Sequence, residues 1–173
     1  MKKIYDGSIF ADYNQFWLHD CALDDDEFID SLETLADNAV AVSRRLRRGI
    51  GFAQVERLSV IGTDSHSQQN WLEIFASDQI PHFRQRHGIR LVIPLTTRRR
   101  TVRISTPTEA RPQISFRIPS GDYRLYVFGY HLGVDPTAAE QERFRIGRAP
   151  IKKNFEGYRL VFVPRRSPVR KKK

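Results

Sequence analysis

Cysteine is almost absent: Cys21 is the only one in 173 residues. No disulfide can therefore form within the chain, and its stability has to come from a packed core. Such usage fits a reducing compartment. Long hydrophobic runs are missing as well, since no stretch approaches the ~20 apolar residues that cross a bilayer. The start, Met1-Lys2-Lys3-Ile4-Tyr5-Asp6-Gly7, sets an acid and a glycine where a signal peptide would carry its apolar region. The expected location is the cytoplasm, with no membrane partner.

Catalytic signatures are equally scarce. The histidines are His19, His66, His82, His87 and His131, and none stands at a metal-ligand spacing; neither HExxH nor CxxC occurs. There is no nucleophile elbow and no phosphate-cradling glycine loop. Asp64-Ser65-His66 sets three catalytic residue types side by side, but triads are assembled across space, and a turn between strands accounts for the Asp and Ser. Cys21 has no basic neighbour in sequence and reads as a structural thiol. No catalytic residue, metal ligand or cofactor is expected, and binding a macromolecule becomes the leading class of function. An active site of scattered carboxylates is the remaining catalytic alternative.

What the chain does have is charge, unevenly spread. Residues 1–43 hold two Lys and ten Asp/Glu, a net of −8, whereas residues 44–173 hold 27 Lys/Arg and ten Asp/Glu, a net of +17. A segment of one sign beside a body of the other can pair with itself, steer a partner or keep the protein soluble.

Tyr13–His19 alternates aromatic and polar residues and reads as a half-buried strand. Asp24-Asp25-Asp26-Glu27 then precedes apolar positions at Phe28, Ile29, Leu32, Leu35, Ala36, Ala39 and Val40. Acids in the first turn and apolar residues three and four apart predict an amphipathic helix over about 25–40, the single convincing helix signal in the chain. Strand signals follow at Ile50–Gly62, Asn70–Ala76, Ile89–Leu95, Thr101–Ser105, Gln113–Ile118, Tyr123–Tyr130 and Tyr158–Val163. The turn formers Pro119-Ser120-Gly121-Asp122 predict a hairpin over 113–130, and Arg98-Arg99-Arg100 reads as another hairpin turn. Residues 78–88 and 132–157 read as irregular. About eight strands at short intervals, without alternating helices, predict a mainly β fold: an antiparallel β-sandwich, or a distorted barrel, with one helical insertion. The expected organisation is one domain over 1–164 and a basic, disordered tail over 165–173.

Two binding chemistries compete. Arg44, Arg45, Arg47 and Arg48, Arg98, Arg99 and Arg100, and the tail form three basic clusters suited to phosphate, because guanidinium forks match phosphate oxygens and counterion release drives binding. Tyr123, Tyr126, Phe128 and Tyr130 beside Arg124 could offer a stacking platform for single strands, or simply fill a core. Conversely, the eight acids between Asp20 and Asp37, led by Asp24, Asp25, Asp26 and Glu27, can imitate nucleic-acid charge toward a basic protein partner, or pair with the chain's own arginines.

Four segments carry a family likeness. Asp12-Tyr13-Asn14-Gln15-Phe16-Trp17-Leu18-His19-Asp20 resembles the early strand of the ComJ-like proteins, a small bacterial group whose founding member inhibits the DNA-entry nuclease of competence. Ile118-Pro119-Ser120-Gly121-Asp122-Tyr123-Arg124-Leu125 resembles that family's turn and strand. Gly62-Thr63-Asp64 with Trp71-Leu72-Glu73-Ile74 is similar to its central hairpin, and Tyr158-Arg159-Leu160-Val161-Phe162-Val163-Pro164 to a late strand. The resemblance implies a non-enzymatic sandwich that binds a protein such as a nuclease or toxin. The acidic segment, the 132–157 stretch and the basic body and tail depart from the family pattern.

Overall fold

The period-two pattern builds strands as it should. In Ile114–Arg117, Ile114 and Phe116 are buried while Ser115 and Arg117 face solvent. The computed structural model describes residues 1–11, 15–20, 52–55, 58–63, 68–82, 89–106, 112–134, 136–146 and 154–165. Within them run β1 (Lys2–Ala11), β2 (Gln15–Asp20), β3 (Phe52–Val55), β4 (Leu58–Gly62), β5 (Gln68–Ala76), β6 (Ile89–Thr97), β7 (Thr101–Ser105), β8 (Ile114–Arg117), β9 (Gly121–Tyr130), α1 (Ala138–Arg145) and β10 (Gly157–Pro164). The predicted helix at 25–40, the clusters Asp24–Glu27 and Arg44–Arg48, Cys21, Asp64-Ser65-His66 and the tail after Arg165 lie outside the described residues.

Two five-stranded sheets result. Sheet one has the order β1-β5-β10-β9-β6 and sheet two the order β3-β4-β2-β7-β8. Every pairing is antiparallel except β5 with β10, which run parallel with Trp71 opposite Gly157. The mainly β sandwich is as expected, with this parallel pair at the centre of sheet one as the exception. Between the sheets lies one apolar cluster that includes Phe16, Leu18, Ile61 and Phe116 from sheet two and Leu72, Ile74, Leu125, Val127, Tyr158, Leu160 and Phe162 from sheet one. Aromatic rings lock the sheets edge to face: Phe16 meets Tyr158 at 5.5 Å and Phe116 meets Phe162 at 5.5 Å between centroids. At one side of the sandwich the Gln113 amide stands in for a strand: its Oε1 accepts from Phe10 N at 2.9 Å and its Nε2 donates to Phe10 O at 2.8 Å.

Three connections read as hairpins are not hairpins. β8 and β9 belong to different sheets, and so do β6 and β7, and β4 and β5. Each short connection carries the chain from one sheet to the other. The flanking side chains decide the matter: Ile118 and Tyr123 on either side of Pro119–Asp122 are both buried in the inter-sheet core. Ile118 N donates to Arg100 O and so extends sheet two, while Gly121 pairs with Thr97 in sheet one. Gly121 sits at φ +148, a conformation that L side chains rarely adopt, and Tyr123 Oη donates to Pro119 O at 2.5 Å to pin the bend.

Two elements depart from the sequence reading. β1 forms where no strand signal was clear, and α1 lies within the stretch expected to be irregular. Among the described residues α1 is the one helix, and it is not long and apolar enough to cross a membrane.

Candidate functional site

The topology gathers scattered cations at one end of the sandwich. β1, β7 and β9 begin there and β5, β6, β8 and β10 finish there, as the registers Lys2 with Ala76, Phe162 with Ala76, Pro164 with Tyr123, Thr97 with Gly121 and Thr101 with Arg117 show. Exposed Lys2, Arg98, Arg99, Arg100, Arg117, Arg124 and Arg165 therefore share this end. The acids nearby are fewer and partly engaged. Asp20 is 1% exposed and its Oδ2 accepts the Arg98 backbone amide at 2.6 Å, which holds the arginine connection against the end of β2. Asp122 Oδ1 accepts the Thr96 hydroxyl at 2.7 Å, and Asp122 O accepts the Arg165 amide at 2.8 Å. Between the loop after β5 and the ends of β9 and β10 lies an open cleft of about 400 Å³, lined by Asp78, Ile80, Arg124, Val163, Pro164 and Arg165.

The outer face of sheet one carries a second arrangement. Phe75, Tyr126, Phe128, Val161 and Val163 form a buried apolar cluster there. Arg159 donates from Nε and Nη2 to Glu73 Oε2 at 2.9 and 2.6 Å, with its guanidinium 5.3 Å from the centre of the Phe75 ring. Trp71 Nε1 donates to Asp6 Oδ1 at 2.8 Å, and Lys3 pairs with Asp6 at 2.5 Å. The Tyr130 hydroxyl lies beside Glu73; burial first, and then that carboxylate's charge, push its pKa well above the usual phenol range. A phenol so held is no proton donor at neutral pH, and the row reads as a charge-satisfied sheet face.

The structure also brings His19 Nε2 within 3.0 Å of Ser105 Oγ, a pairing that sequence reasoning missed because the two residues lie 86 positions apart. His19 is only 8% exposed, and burial, followed by the nearby Arg103 cation, lowers its pKa to about 4. An imidazole this weakly basic is a poor general base near pH 7. Among the described residues, no group of three His, Cys, Asp or Glu is placed to hold a metal ion.

Of the residues singled out in the sequence, Arg98, Arg99 and Arg100 are exposed at the connection from sheet one to sheet two. Arg44, Arg45, Asp24, Asp25, Asp26 and Glu27 lie outside the described residues. The aromatics of β9 resolve toward packing: Tyr123, Tyr126 and Phe128 are buried. Sequence reasoning did not see that Arg124 and Arg165 join Arg98–Arg100, because strand order rather than spacing brings them together.

These features define a two-sheet β-sandwich with a cationic end. It is similar in fold to ComJ, the inhibitor of the DNA degrading activity of NucA from Bacillus subtilis, with 15% identity and a TM-score of 0.59 over 95% of this chain and 98% of that one. It is similar also to the structure described as crocagin biosynthetic gene J, with 13% identity and a TM-score of 0.55 over 96% of this chain and 100% of that one. At these identities the likeness is one of fold, and the resemblance to ComJ is a distant one. No family model matches the sequence, and no curated protein matches it significantly.

Proposed function

We propose that this chain is a non-enzymatic protein-binding module that inhibits a nuclease or a toxin. The observation that carries the reading is the likeness of its fold to ComJ over nearly the whole chain, because ComJ is an inhibitor of a DNA degrading activity. The interior supports binding over catalysis: the one His–Ser pair among the described residues is buried and its imidazole is weakly basic. In this reading Asp24, Asp25, Asp26 and Glu27 face the partner, and their carboxylates take the place of phosphates in a basic cleft.

The test is to purify the chain with its partner from the native host and titrate it into that partner's activity assay. Stoichiometric loss of nuclease or toxin activity is the expected result. Partner activity that is unchanged at saturating inhibitor, or hydrolytic turnover by the chain itself, would end this reading.

A further inference from the structure

We infer that the cationic end of the sandwich is a second, independent binding surface, and that its ligand is the phosphate backbone of a nucleic acid, bound without sequence preference.

Placement is the first argument. Lys2 lies at the β1 margin of this end, Arg165 follows β10, Arg124 lies near the start of β9, Arg98–Arg100 follow β6, and Arg117 closes β8 on the other sheet. Strands in a sheet lie about 4.8 Å apart, so the row from β1 to β6 spans roughly 20 Å, enough for several successive phosphates. Availability is the second. Among the described residues, the guanidinium groups of Arg99, Arg100, Arg117, Arg124 and Arg165 make no ion pair or hydrogen bond within the chain. Exposed cations left unpaired in this number keep their charge for an external anion, whereas Lys3 and Arg159 elsewhere on sheet one are paired with Asp6 and Glu73.

The third argument is shape. The open cleft of about 400 Å³ is lined by Arg124 and Arg165, by Ile80, Val163 and Pro164, and by one acid, Asp78. Two forked cations against one carboxylate, in a cleft of mixed polar and apolar lining, suit a phosphate with its sugar, and the strand can then continue toward Arg98–Arg100. Arginine supplies every cation of this cleft and of the connection, and its planar fork matches phosphate oxygens better than an ammonium does. The Tyr123, Tyr126 and Phe128 rings are buried and cannot stack on bases. Contact through these guanidinium groups runs to the phosphates, which are alike at every base, so it carries no sequence information.

The test uses the full chain, a fluorescently labelled single strand of about 20 nucleotides and the matching duplex, with anisotropy read at about 50 and 200 mM salt. Binding is expected to at least one of the two, and with about four phosphates neutralised it weakens roughly a hundredfold between those salts. In R99Q/R100Q/R124Q/R165Q the salt dependence falls by about one unit of slope per arginine removed, and affinity falls at least tenfold. R143Q, on α1 and away from the cationic end, binds as the parent does. No binding at the lower salt would overturn the proposal, and so would a quadruple variant that binds like the parent, which would assign the affinity to the other basic sequences, Arg44–Arg48 or the C-terminal residues. Tighter binding to anionic phospholipid vesicles than to either nucleic acid would replace it with a membrane surface. Inhibition of a protein partner is measured separately, so the failure of one reading leaves the other standing.

Discussion

Sheet one is built from strands of eight to ten residues, and sheet two from strands of four to six. The difference follows burial. β10, at the centre of sheet one, is packed on both faces: Tyr158, Leu160 and Phe162 point into the inter-sheet core, while Val161 and Val163 join Phe75, Tyr126 and Phe128 on the outer face. β8, at the margin of sheet two, buries one face and leaves Ser115 and Arg117 in solvent. Sheet one is thus the spine of the molecule, and sheet two a thinner layer held to it by interlocked rings. Both sheets supply arginines to the cationic end, so its surface depends on the two staying in register.

The largest expected effect comes from cutting that interlock. Phe162 is fully buried and meets Phe116 at 5.5 Å and Tyr123 at 6.0 Å. Phe162→Ala should cost about 3–5 kcal/mol in chemical denaturation, and Phe116→Ala, at the sandwich margin, should fall at the lower end of that range. A loss below ~1 kcal/mol at Phe116 would mean that β8 faces the other way.

Acid should loosen sheet two through His19. Folding keeps this imidazole neutral down to about pH 4, whereas in the unfolded chain it takes up a proton below the ordinary value of 6.5. Protons thus favour the unfolded state; the stabilisation is whole above about pH 6.5 and is lost as pH falls toward 4. The displacement corresponds to roughly 3 kcal/mol at most. His19→Gln should flatten the stability profile between pH 7 and 4.5 relative to the parent, and an equal slope in the two proteins would show that other groups set it.

A smaller effect belongs to the spine. A Cβ at Gly157 would fall 2.2 Å from the Tyr130 ring, so Gly157→Ala must displace that ring from the face of β10. The expected loss is about 1–3 kcal/mol, and near-neutral stability would mean that the ring moves aside freely.

How far the fold could be read from the sequence differs by element. Strands with strict alternation, such as Ile114–Arg117, or with dense apolar runs, such as Gly157–Pro164, are visible because local pattern and burial agree. β1 was missed: Lys2–Ala11 mixes Lys, Asp, Gly and Ser with its apolar residues, and its pairing with β5 over nine partners is a tertiary fact. α1 was missed because AAEQERFR has no apolar stripe, yet a signal was there. Thr137 and Glu140 form a reciprocal cap: Thr137 N donates to Glu140 Oε2 at 2.9 Å and Glu140 N to Thr137 Oγ1 at 3.3 Å. The backbone hydrogen bond from Thr137 and the side-chain bond from Asn154 hold the Glu140 carboxyl below its usual pKa. Turns were the systematic error. Proline, glycine and aspartate mark a reversal of the chain, but a hairpin and a crossing between sheets use the same residues, and only the burial of both flanks separates them. The candidate site was legible as arginine clusters and not as a surface, because Arg124 and Arg165 reach Arg98–Arg100 through strand order.

Charge-guided encounter with a basic partner is tested most directly at the acidic sequence that follows β2. With the native partner in hand, the association rate should be measured by stopped flow for the parent and for D24N/D25N/D26N/E27Q. Charge-guided encounter predicts association slowed by roughly tenfold at low salt, with dissociation and folding stability little changed. An unchanged association rate would contradict the proposal that these carboxylates meet a basic partner.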